Sequence, residues 1–222
     1  FDDGREENAS APLDWTRDAG CNAWLFRTLT QDPAEYARQW LREGCGGRSP
    51  APADLRRWIG YFAELGARRF HTGFMILHRG DGPRWTRSDA RRMEHLRMDA
   101  GRDIRAVVDG ESWLARRAAD AEMDLLGIRF AVSADIRLES VSHLAEDWTT
   151  IALRLLSAGR LAYDGPVDST LPRLLAHCRN GLAPADFLPE LAAGSSVGDV
   201  APRLAVIVRE LIRHGILLPP QT

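Results

Sequence analysis

The sequence predicts an α+β fold, a mixed N-terminal α/β unit followed by a winged-helix-like C-terminal unit, and three observations predict it. Capped segments carry apolar residues at helical spacing, β-rich stretches are bounded by turn residues, and the two kinds never settle into the βαβα rhythm of a doubly wound sheet. Domain organisation follows as an acidic tail or linker over 1–13, a mixed α+β accessory domain over 14–148, and a winged-helix-like module over 149–222.

Asp2, Asp3, Glu6 and Glu7 against Arg5, closed by Pro12, make the start a solvated tail. Trp24, Phe26 and Leu29 suit a short strand or an irregular packed segment. Asp32, Pro33 and Glu35 then supply an N-cap, a first-turn proline and the acidic residue of a capping box. Tyr36, Ala37, Trp40 and Leu41 continue at helical spacing until Gly44. Leu55, Trp58, Ile59, Phe62 and Leu65 form a second apolar face, which predicts one buried side and a stop at Gly66.

The run R-R-F-H-T-G-F-M-I-L-H-R is too short and β-rich for a helix, so a largely buried strand is expected, returning as a hairpin through D-G-P and Trp85. Residues 84–105 hold seven arginines against four acidic residues, the pattern of a solvated face, with an anion-facing surface as the sharper reading. Helix is expected from about Arg102 to Leu126 with a break near Gly110, followed by a strand-like stretch at Ile136 to Ser142. Thr149–Leu156 and Leu161–Val167 read as two strands joined by S-A-G-R. Three helices, centred on Leu174, Leu188 and Val208, and a last strand at Ile216–Leu218 complete the winged-helix-like pattern.

Composition narrows the function. The chain of 222 residues is 45% apolar and 27% charged, which places it among globular proteins. All 29 basic residues are arginine, the mark of a G+C-rich codon supply, and 31 acidic residues offset them, which disfavours a nucleic-acid binder. Residues 166–222 carry five arginines and five acidic residues, so a groove-reading helix lacks its basic face. Cys21, Cys45 and Cys178 form no C-x-x-C pair, and a reducing cytoplasm is expected. No apolar run approaches the ~18 residues of a membrane span. The start at Phe1, without methionine or signal features, is read as a processed product, a fragment or part of something longer.

Chemical motifs are sparse. E-G-C-G-G at 43–47 leaves a helix instead of opening one, so it reads as a C-cap and not a phosphate loop. His71 and His78 are oddly spaced on one expected strand, and His177 and Cys178 diverge around a helix, so no metal site is expected. Cys178 reads as a buried small hydrophobe. No G-x-S-x-G, G-x-x-x-x-G-K-[ST] or G-x-G-x-x-G is present, and no catalytic residue is assigned. Of seven tryptophans, Trp40 and Trp58 read as core, and Trp15 and Trp85 as interface residues. His78, Arg79 and Trp85 are the candidate contact site for substrate or another domain, because an expected strand delivers titratable, ionic and aromatic groups to one turn.

The runs D-A-G-C-N-A-W-L-F-R at 18–27, D-P-A-E-Y-A-R-Q-W-L at 32–41, W-x-x-Y-F-x-x-L-G at 58–66 and G-F-M-I-L-H-R at 73–79 resemble the C-terminal half of bacterial class I methyltransferases. The resemblance is to the protein-glutamine and ribosomal-RNA guanine methyltransferase group, which uses S-adenosylmethionine. The family's D-x-G-x-G-x-G cofactor loop and N-P-P-Y tetrapeptide have no counterpart from Phe1 to Thr222. The resemblance therefore implies that cofactor and catalysis belong to a domain upstream of Phe1. This chain would bind no cofactor itself and would serve as the substrate-recognition, lid or dimerisation region. Expected partners are that upstream domain and a small-molecule or peptide substrate, with a homodimer open, no membrane, and nucleic acid disfavoured. The alternative expectation is a free-standing peptide- or partner-binding winged-helix module, with a DNA binder behind it.

Overall fold

A computed structural model describes residues 13–16, 18–90, 100–118, 122–144, 147–157, 163–192 and 196–220. Among these residues the fold is α+β, with three small sheets and seven α-helices. The chain divides into two compact units, Phe1–Arg79 with Thr86–Glu94, and Gly80–Trp85 with His95–Thr222. The tail expected over 1–13 lies, apart from Leu13, outside the described residues, as do Arg91, Arg92 and Arg97 of the arginine-rich stretch.

The first unit is organised around β1 (Asn22–Gln31), the middle strand of three. Its neighbours are β2 (Phe70–His78), antiparallel, and β3 (Thr86–Ala90), parallel. The hairpin expected through D-G-P is thus corrected, because β3 lands on the far side of β1. Trp24 and Phe26 point to one face and are fully buried, and Phe26 stacks on its cross-strand partner Phe74 with centroids 5.2 Å apart. Thr28 is an extra residue between the paired Arg27 and Leu29. Beside this bulge only glycine fits at position 73, since a Cβ there would lie 1.9 Å from the Phe26 carbonyl oxygen.

Helices α1 (Pro33–Gly44) and α2 (Pro52–Glu64) connect β1 to β2. The capping box forms as the residue types require, Glu35 N–H donating to Asp32 Oδ1 at 2.7 Å and Asp32 N–H to Glu35 Oε2 at 3.3 Å. An aromatic cluster fixes both helices on the sheet. Tyr36 stacks on Phe70 at 4.2 Å, and Phe62 meets Phe70 at 4.6 Å. Two expectations are corrected here. Phe62 is the one buried residue of α2, with Ile59 and Leu65 exposed, because only a narrow strip of the helix reaches Phe70. Trp40 is 49% exposed, its ring resting on Tyr36 at the margin instead of in a core. The strand β2 is also less buried than its composition suggests, with His71, Thr72, Gly73 and Leu77 open to water on an edge strand.

The second unit packs helices α3 (Ala100–Arg116), α4 (Glu122–Leu126), α5 (Thr170–Arg179), α6 (Leu188–Leu191) and α7 (Val197–Arg213), with a 3₁₀ turn at Pro184–Phe187. Residues Ala201, Leu204, Ala205, Val208, Leu211 and Ile212 of α7 repeat at three- and four-residue spacing, and all are buried against Trp113, Leu126, Leu174 and Phe187. A break near Gly110 was the sequence expectation, yet α3 runs straight through it. Gly110 is buried where α3 crosses α7, and a Cβ there would lie 2.3 Å from the Ile212 carbonyl oxygen. Glycine serves close approach, not a break.

Two sheets complete this unit. The pair β4 (Ala131–Val132) and β8 (Leu217–Leu218) ties the last strand back to the middle of the chain. A second sheet has the order β5 (Arg137–Leu144), β6 (Trp148–Leu156), β7 (Asp164–Val167), antiparallel throughout. The boundary expected at 148 coincides with the first residue of β6, which pairs with Leu144 of the preceding strand, whereas the compact units divide around residues 79–95. Cys178 is 1% exposed in the core, and burial pushes its thiol from 9.0 up to about 11. Between these values the unfolded chain has lost a proton that the folded chain keeps, so this contribution to stability is lost as pH rises through that window. Native protein at pH 8 should therefore leave Cys178 unreacted with a disulfide reagent, while exposed Cys45 reacts at once; labelling of Cys178 before unfolding counts against the buried placement.

Candidate functional site

Of the three contact residues expected from sequence, two fall in the first compact unit and one in the second. His78 ends β2, half-buried, with its Nδ1 3.4 Å from Asn22 Nδ2, and exposed Arg79 follows. Both belong to the first unit, whereas Trp85 belongs to the second. Trp85 is 8% exposed, and its indole N–H donates to Ser112 Oγ on α3 at 3.0 Å. Its ring is packed and offers little open surface, whereas Trp15, the other tryptophan expected at an interface, is exposed.

The first unit presents a cleft of about 300 Å³ on the sheet face carrying Leu25, Arg27 and Met75, with Trp15, His71 and Ser88 around it. Gly73 also lines it. His71 Nδ1 lies 3.0 Å from Thr30 Oγ1. Loss of water around the ring, and after it the charges of Arg27 and Arg69, hold the imidazole below its ordinary value. That shift favours the neutral imidazole, and Arg27 brings a permanent positive charge to the cleft.

The opposite face of β1 holds a compact polar lock. Trp24 Nε1–H donates to Asp89 Oδ2 at 2.7 Å, Arg87 Nε reaches the same oxygen at 2.5 Å, and the guanidinium carbon lies 5.1 Å from the Trp24 ring centroid. One carboxylate thus joins an indole and a guanidinium in a site nearly closed to water, with Arg87 10% and Asp89 18% exposed. The grouping braces β3 against β1, since Trp24 belongs to one strand and Arg87 and Asp89 to the other.

In the second unit a cavity of about 440 Å³ lies beside the start of α3 and the end of α7, lined by Asp103, Asp135, Ser157 and His214 among others. Asp103 is buried and accepts the Ser157 hydroxyl hydrogen at 2.5 Å, and Ser157 Oγ lies 3.2 Å from the Tyr163 backbone N–H that it accepts. A serine nucleophile would need a base such as imidazole to take that hydrogen. Here a carboxylate takes it directly, and the pair acts as a cross-link between α3 and the end of β6. His214 caps α7, with its ring against Tyr163 at 5.1 Å and Nε2 3.8 Å from Glu210 Oε2. Arg102 and Asp135 close the rim at 3.2 Å. Sequence reading passed over Asp103, Ser157 and His214 because they lie 54 and 57 positions apart in the chain and share no motif. Among the described residues no cluster of three His, Cys, Asp or Glu could hold a metal ion, and no helix is long and apolar enough to cross a membrane.

These arrangements define an α+β protein whose second unit wraps the 17-residue helix α7 and whose polar clusters brace its framework. Residues 106–219, from within α3 to just beyond β8, match the family described as Domain of unknown function (DUF7782), and the chain belongs to that family. No curated protein and no solved structure matches the chain.

Proposed function

We propose that this chain is the non-catalytic substrate-recognition, lid or dimerisation region of an S-adenosylmethionine-dependent methyltransferase whose catalytic domain lies upstream of Phe1. The observation that carries the reading is the coincidence of the four methyltransferase-like runs with the framework of the first unit. D-A-G-C-N-A-W-L-F-R enters β1, D-P-A-E-Y-A-R-Q-W-L is the capped α1, W-x-x-Y-F-x-x-L-G closes α2, and G-F-M-I-L-H-R completes β2. Positional catalysis of methyl transfer gives such a region a purpose, since orientation and exclusion of water are contributions that a rigid neighbour supplies. The three free thiols fit a cytoplasmic setting. A free-standing partner-binding module is the second reading, favoured by exposed apolar residues on the β5–β6 hairpin, among them Leu144, Trp148 and Ile151.

Calorimetry on residues 1–222 tests the first reading. No heat of S-adenosylmethionine binding is expected from this chain, and a polypeptide extended upstream by its encoded residues should bind the cofactor. Micromolar binding to residues 1–222 alone, or an upstream sequence lacking D-x-G-x-G-x-G and N-P-P-Y, overturns the assignment.

A further inference from the structure

All eight residues of β5 are exposed, and β5 is the edge of its sheet, with β6 on one side and no strand among the described residues on the other. It contains no proline, the bulge in this hairpin belongs to β6, at Ile151, and the charges on β5, Arg137 and Glu139, leave the stretch from Ser140 to Ser142 uncharged. Leu138, Val141 and Leu144 are about half exposed, and Trp148, opposite Leu144, is 71% exposed. An edge of this kind is a template for another strand.

The sequence of the edge identifies that strand. Leu138-Glu139-Ser140-Val141-Ser142-His143-Leu144 reads nearly the same in both directions about Val141. An antiparallel partner with the same sequence, related by a two-fold axis through Val141, sets Val141 against itself and Ser140 against Ser142. It also sets Leu138 against Leu144, and Glu139 against His143, twice each. Residues directly opposite in antiparallel strands have Cβ atoms about 5 Å apart, so the acid and the imidazole come within bonding reach at both ends. Alternation places Leu138 and Leu144 on one face. Their cross-strand neighbours Leu155 and Trp148 extend each pair into a row of four apolar side chains across the junction.

We propose that β5 is a homodimer interface, in which two copies of this chain join their three-stranded sheets edge to edge into one six-stranded sheet. The interface is isologous, as a two-fold requires. It stands on the edge, its exposure and its near-palindromic sequence, and does not depend on the methyltransferase reading.

Sedimentation velocity on residues 1–222 over a range of concentrations tests it, with circular dichroism confirming that each variant is folded. Wild type should shift from monomer to dimer with rising concentration. Val141→Asp, which brings two carboxylates together on the axis, should remain monomeric. His143→Glu, which sets glutamates against one another at both ends, should weaken association by about tenfold or more. The exchange variant Glu139→His with His143→Glu restores complementarity and should restore the dimer. A wild-type monomer at every concentration overturns the proposal, and so does a dimer indifferent to Val141→Asp or an exchange variant no better than His143→Glu alone.

Discussion

Gly110→Ala is expected to destabilise the second unit by about 3 kcal/mol, even though alanine is the better helix former by roughly 1 kcal/mol. The added methyl would meet the Ile212 carbonyl oxygen at 2.3 Å, and that oxygen is backbone at the end of α7, not the tip of a flexible side chain. Relief requires α3 and α7 to move apart, and Val107, Trp113, Val208 and Ile212, all buried, lie on those two helices. For a chain of this size the thermal midpoint should fall by roughly 6 to 12 °C. A midpoint that rises, with the propensity gain showing through, would mean that the two helices do not approach so closely.

Asp89→Ala is the second large effect, at about 2 to 3 kcal/mol in the first unit. The substitution removes the acceptor of the Trp24 indole and the carboxylate beside Arg87 in a single step, at a place where neither donor has ready access to water. Asp89→Asn keeps an acceptor for the indole and loses only the charge, so it should fall between wild type and alanine. Urea unfolding followed by tryptophan emission reads both variants. Equal midpoints for alanine and wild type would show that β3 is held on β1 by its backbone bonds alone.

Both positions show what the sequence reveals and where it falls silent. Local signals were fully legible: Asp32, Pro33 and Glu35 announced a capped helix, and the glycine at 66 ended the next one with φ of 65°. The spacing of Leu204, Val208, Leu211 and Ile212 marked the inward face of α7. Contacts between distant segments were not legible. The D-G-P turn promised a hairpin because adjacent strands usually pair, and nothing local announces that Asp89 will serve Trp24, 65 positions earlier. Gly110 looked like a break because propensity registers its missing side chain but not the helix that fills the space. The candidate site followed the same rule. His78, Arg79 and Trp85 were grouped because a strand and turn expected from local sequence would carry them, while Asp103 and Ser157 meet only through the fold.

The central place of β1 also sets a timetable for synthesis. The strand leaves the ribosome before both of its partners, and its register with β3 cannot close until Ala90 has emerged, some 65 residues after Trp24. At roughly 5 to 20 residues per second, translation leaves the apolar run Ala23–Phe26 without its complete sheet for about 3 to 13 s. Before β2 emerges, α1 and α2, whose hydrogen bonds are local, can already form, so the nascent first unit would pass from two helices beside an unpaired strand to a two-stranded sheet still lacking β3. A codon change that slows elongation between 70 and 90 lengthens this exposure without altering a single residue of the finished protein.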